Sequence, residues 1–176
     1  MLDTLTALLQ PWSDVYSDSA YLPTLILAVH VLALFGGGGI AIAADRRVLQ
    51  STPTTREAYQ AAAEELRTTH AIVIGAIVLM VVSGIALATS DVGTFFVSPV
   101  FWAKMAMFVV LIGNGAFMRR TESRVLAAAT DAGVEIDRTT QPSSPHLTWA
   151  LLKRSATISL VSWFLVVLLG VVLSNI

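Results

Sequence analysis

The sequence contains no cysteine, and charged residues make up only 13% of its 176 positions. Without thiols there can be no disulfide, thiolate metal site, iron–sulfur cluster or cysteine nucleophile. Soluble domains carry about 25% charged residues, so a water-soluble domain is excluded. Intrinsic disorder is excluded too, because it requires low hydrophobicity and high charge, whereas 55% of this chain is hydrophobic. A formal net charge of −1 offers no electrostatic footprint for nucleic acid. A basic leader is also missing. Asp3, Pro11, Asp14 and Asp18 interrupt the first residues, which are therefore not expected to form a cleaved signal peptide.

What the sequence has instead is four long apolar runs, at about 22–44, 71–88, 97–118 and 151–174. A hydrocarbon core of about 30 Å takes about 20 helical residues to cross. Continuous runs of this length predict helices, since barrel strands show about ten-residue alternating segments and lipid-exposed irregular backbone is forbidden. The expected fold is all-α: a polytopic membrane protein with a single four-transmembrane-helix bundle over 1–176. Leu2, Leu5, Leu8 and Leu9 are spaced for one or two amphipathic turns, and Trp12, Tyr16 and Tyr21 suit the headgroup level. The first residues are thus expected to form a short interfacial helix, with a turn at Leu22-Pro23 into the first span.

Of the eleven Lys and Arg residues, ten lie between spans one and two, between spans three and four, or at the mouth of span four. They are Arg46, Arg47, Arg56, Arg67, Arg119, Arg120, Arg124, Arg138, Lys153 and Arg154. The positive-inside rule places both loops in the cytoplasm and both termini outside. In a bacterium that membrane is the inner (plasma) membrane. After the break at Ser51-Thr52-Pro53, the first loop should become helical, capped by Thr54 or Thr55. The second should continue span three through Glu122 to Thr130, ending at Gly133. The stretch from Gln141 to Pro145 then stops any helix before span four.

None of the four runs as drawn contains Asp or Glu, which argues against an ordinary proton-coupled carrier. Apart from Lys153 and Arg154 at the mouth of span four, His30 and Lys104 are the ionisable residues that fall inside. Counting from the span edges at 1.5 Å per residue, they lie about 12 Å and about 10 Å deep from the same side. Met80 falls about 12 Å deep on span two by the same rise. A neutral imidazole can hold haem iron, and a thioether can be the second axial ligand. His30 could equally be a polar residue satisfied by a serine, an asparagine or a carbonyl. Lys104 either snorkels to the interface or turns inward towards an anion. The glycines Gly36, Gly37, Gly38 and Gly39 weaken a helix. They suit close helix packing or a flat macrocycle laid on bare backbone, with Gly37 on the stripe of His30. Asn114, Ser155, Ser159 and Ser162 look like interhelical glue. His70 and His146 lie at the opposite face from His30, as interfacial residues or a two-histidine site.

The segment LAVHVLALFGGGGIAIAADRRVL, with His30, Gly39, Asp45 and Arg47, resembles the first span of a family of small bacterial four-helix membrane proteins. Their third span is similar to FWAKMAMFVVLIGNGAF, with Lys104 and Asn114. More distantly, the layout resembles the four-helix membrane protoporphyrinogen oxidases and the copper-resistance D-like membrane proteins. The oxidase resemblance implies bound haem b and functional roles for a span-one histidine, an arginine at the end of that span and a span-three lysine. Those roles would fall on His30, on Arg46 or Arg47, and on Lys104.

The expected function is a haem b-binding redox carrier or porphyrin-type oxidoreductase, its ligand held in the outer half of the bundle by His30, Gly37, Lys104 and Met80. Its partners would be the lipid bilayer and a membrane redox protein or a second copy of the chain. The alternatives are a non-catalytic membrane subunit packing through small residues and a copper or small-solute transporter, for which Met80, Met105 and Met107 speak. The charge distribution also yields a topology test. A reporter active only in the cytoplasm should be silent when fused after Ile176 and active near Gly133; the reverse pattern would invert the orientation.

Overall fold

The computed structural model describes residues 2–51, 53–131 and 145–175. Its elements are α1 (Leu2–Asp18), α2 (Leu22–Gln50), α3 (Arg56–Ser90), α4 (Val92–Phe95), α5 (Pro99–Asp131) and α6 (Pro145–Leu173). No strand occurs among the described residues. Four of the helices are long and apolar enough to cross a membrane, over Leu22–Gln50, Gln60–Ser90, Pro99–Arg124 and Trp149–Leu173. The protein is an all-α, multi-pass membrane bundle.

Local chemistry sets the helix ends. Pro23 occupies the first turn of α2, where a missing N–H costs nothing, and Ser19 Oγ accepts from the Leu22 N–H at 3.1 Å. Thr55 caps α3, its hydroxyl accepting from the Ala58 N–H at 3.3 Å. Pro99 and Pro145 open α5 and α6. The helices run past the apolar runs at their basic ends, because Ala, Glu, Leu and Arg are good helix formers outside the bilayer as well. Thus α2 carries Asp45 within it, and α5 carries Glu122. The sequence reading did not anticipate α4, whose cap is Asp91 Oδ1 accepting from the Thr94 N–H at 3.0 Å. Arg138 and the stretch 141–144 lie outside the described residues.

Helix α1 is strapped to the C-terminal end of α3, at the end of the bundle away from the basic loops (the outer end): Trp12 Nε1 donates to the Ala86 carbonyl at 3.2 Å, and Ser13 Oγ to that of Ser90 at 2.8 Å. Nearby, Phe95, Phe96, Phe101 and Trp102 form a ring cluster, with Phe96 stacked on Phe101 at 5.4 Å between centroids. Trp102 Nε1 donates to the Phe96 carbonyl at 2.9 Å. Such a belt suits the membrane–water boundary.

Two sequential hairpins, α2/α3 and α5/α6, face each other, with α2 also against α6 and α3 against α5; α2 and α5 are therefore diagonal. The core comes in two apolar clusters stacked along the bundle. Towards the outer end Ala33, Ala41, Val73, Met80, Leu111 and Trp163 pack together. Towards the basic end the cluster is Val48, Ala63, Leu66, Met118, Trp149, Leu152 and Ala156.

The four glycines of α2 divide by face. A Cβ at Gly37 would lie 2.5 Å from Ala76 Cβ, and one at Gly38 would lie 3.0 Å from the Trp163 ring, whereas Gly36 and Gly39 have nothing within 4 Å. The flat group against bare backbone is thus this chain's own indole. Gly37→Ala should overpack α2 against α3 and cost about 1–3 kcal/mol, read as a lower melting temperature in detergent. Gly36→Ala and Gly39→Ala should be neutral or gain up to about 1 kcal/mol of helix propensity.

Candidate functional site

In the outer half, α2 presents His30 to α3. Ser83 Oγ bonds back to the Leu79 carbonyl at 2.7 Å, which commits its proton. The contact of 3.0 Å between His30 Nδ1 and Ser83 Oγ is then a bond donated by the imidazole. A neutral ring with its proton on Nδ1 has its lone pair on Nε2. The ring lies over Gly84, where an added Cβ would come within 3.2 Å of Cε1. Both outcomes considered for His30 therefore have a footing: it is satisfied by a serine, and the same bond orients it as second-shell partners orient a ligating histidine.

Lys104, on the diagonal helix α5, turns into the bundle rather than towards lipid. Its Nζ lies 3.5 Å from the position a Cβ would take at Gly170 of α6. It is close enough to act electrostatically on His30. Among the described residues, no hydrogen bond or ion pair engages the ammonium.

The other proposed contacts do not join this pair. Gly37 is filled by Ala76 and has no free face for a ligand. Met80 is buried in the outer apolar cluster, one turn from Ser83 on α3. Its carbonyl lies within 3.2 Å of Ser83 Oγ, beside the His30–Ser83 contact. Arg46 and Arg47 lie at the other end of α2, more than four helical turns from His30 on the 3.6-residue repeat. Arg46 is exposed, and Arg47 is paired with Glu65 of α3.

A second polar group, unforeseen as a unit, lies between the two apolar clusters. On α2, α3 and α6 its members fall in register: Asp45 between Ala41 and Val48, His70 between Leu66 and Val73, Ser159 between Ala156 and Trp163. Asp45 is 3% exposed; it interacts with Ser159 and His70, and its Oδ2 has no hydrogen-bond partner. Glu122, also 3% exposed, brings Oε2 to 2.9 Å from His70 Nδ1, out of line for a directed hydrogen bond. The expectation that no carboxylate enters the bundle is therefore overturned, and with it the argument against proton-coupled chemistry. The clue was present in the helical stripe His30, Gly37, Ala41, Asp45, which puts the carboxylate on the packed face. His70 is not merely interfacial; the side chain of His146 lies outside the described residues.

The glue assignment holds at the α5/α6 seam. Asn114 Nδ2 donates to the Ser155 carbonyl at 2.9 Å, and Ser155 Oγ donates to Asn114 Oδ1 at 2.9 Å. Comparison with protein-family models, curated proteins and solved structures finds no match for the chain.

A double-mutant cycle of Asn114→Leu with Ser155→Ala, read by unfolding in detergent, should give a coupling of about 0.6 kcal/mol, the average for hydrogen bonds between membrane helices, and no more than about 1.7 kcal/mol. A coupling indistinguishable from zero would show that the pair does not join α5 to α6.

Proposed function

We propose that the protein is a redox-active membrane protein of the bacterial inner membrane that binds an anionic ligand in its outer half, with haem b as that ligand. The observation that carries this reading is Lys104: an ammonium turned inward against Gly170, with no carboxylate engaging it among the described residues. A charge held inside a membrane bundle is costly and usually functional. On the facing hairpin, His30 offers a free Nε2 lone pair.

This donor set fits the two ends of an iron porphyrin: an imidazole for the metal and an ammonium for a propionate. Met80 is packed in the outer apolar cluster, so His30 and Lys104 are the residues that would hold the group. Haem would supply the redox couple; the chain's residues would orient it and exclude water. The best-formed cavities, of about 70 and 50 Å³, are at the basic end and far below the usual 300–1,000 Å³ of a ligand site. A macrocycle would thus have to part the hairpins at their outer end. In this reading the basic loops face the cytoplasm and the ligand lies towards the outside.

The second reading, a non-catalytic subunit, is favoured by the glycines: Gly37 and Gly38 serve helix packing alone. Absorption spectroscopy separates the two. Protein from haem-replete cells should show a Soret band that is lost in His30→Ala and weakened in Lys104→Met, while His70→Ala and His146→Ala retain it. Haem would also raise the melting temperature by mass action. A colourless protein that gains no band on adding hemin would leave the subunit reading in place.

A further inference from the structure

The polar layer at the basic end plays no part in the outer-half reading and asks for its own explanation. Asp45 and His70 are held there between apolar clusters, and Glu122, buried beside Met118 on α5, approaches His70 at 2.9 Å. From α6 the layer is faced by Ser159, which is uncharged. Arg47 on α2 is turned outward to Glu65 of α3, and both are well exposed. No lysine or arginine lines the cavity beside Asp45.

Charge counting then limits what the layer can hold. A protonated His70 next to Glu122 is neutral as a pair, which leaves the charge of Asp45 uncompensated. An isolated carboxylate in an apolar setting is very costly and takes up a proton instead. Asp45 Oδ2, buried and without a hydrogen-bond partner, is the atom to which that proton would be added. A metal ion suits the layer less well, since no group of three His, Asp or Glu side chains among the described residues is arranged to hold one.

A route for the proton is also built in. The cavity beside Asp45, about 50 Å³, is lined by Thr69, His70 and Ser159 among others. A second cavity, about 70 Å³, lies towards the basic end and is lined by Arg47, Ser51 and Glu65. The two share Ala44, Leu66 and Thr69 as walls. Each is roomy enough for a small number of water molecules, and each offers them polar partners. On its far side from the basic end, the cavity beside Asp45 is walled by Ala41, Val73, Leu111 and Trp163 of the outer apolar cluster.

We propose that Asp45 is an exchangeable proton-binding site, supplied with protons from the basic end of the bundle through these two cavities and poised by the His70–Glu122 pair. On release, the O–H bond at Oδ2 breaks, the proton passes to cavity water, and the carboxylate left behind faces the His70 ring. The site is closed to the outer half, so protons exchange with one side of the membrane only. It does not depend on what the outer half binds.

Infrared spectroscopy of the full-length protein in lipid nanodiscs tests this directly. With aspartate carboxyls labelled by carbon-13, wild-type protein at mildly acidic pH should show a label-shifted C=O stretch of a protonated carboxyl. The band should move in heavy water and vanish reversibly as the pH is raised. Asp45→Asn should abolish it, Glu65→Gln should leave it unchanged, and His70→Gln should shift its titration midpoint. The label marks all seven aspartates, of which Asp45 is the buried one among the described residues, so the band of the folded wild type carries the test even where Asp45→Asn does not fold. A wild-type protein with no such band, a band carried by glutamate alone, or a band that survives Asp45→Asn would overturn the proposal.

Discussion

The close approach of α2 to α3 at Gly37 and Ala76 governs the rest of the bundle. In lipid no hydrophobic force draws helices together, so association rests on packing and interhelical hydrogen bonds. A bare Cα facing an alanine methyl lets the two axes come close, and it also locks their antiparallel register. Two turns outward of that contact the register brings His30 opposite Ser83. About two turns the other way it brings Asp45 near His70. Both polar layers are therefore consequences of one small-residue contact.

The polar groups repay this arrangement unequally. His30 and Ser83 satisfy each other, and Asn114 and Ser155 exchange two bonds across α5 and α6. These pairs are what a bundle needs to hold its helices in place. Lys104 and Asp45 are different, because each is a charge-bearing group turned inward with an unspent valence. Packing alone gives no reason to keep them there. They sit at opposite ends of the bundle, on diagonal helices, with the outer apolar cluster between them. The molecule is best understood as two separate polar compartments sharing one apolar partition, which Trp163 fills against Gly38.

The sequence alone determined the class of fold, because four runs of sufficient length and hydropathy leave a helix as the only way to satisfy the backbone in lipid. It also determined the N-terminal helix α1 and the helical first loop, with its cap at Thr54 or Thr55, and it singled out His30 and Lys104 as candidates, since an ionisable residue inside an apolar run stands out without any structure. What it left undecided were pairings. Hydropathy marks where an apolar run ends but not what a helix buries beyond it, and so Asp45, at the end of span one, and Glu122, on the continuation of span three, gave no sign that they enter the packed interior. Facing direction was equally open. Only the tertiary structure decided that Lys104 points at Gly170, that Gly37 is spent on Ala76, and that Arg47 belongs with Glu65 and not with His30. The reason is physical: periodicity along one helix specifies a stripe, whereas partners are set by the rotation and register of two helices against each other, and those are fixed by contacts far apart in the chain.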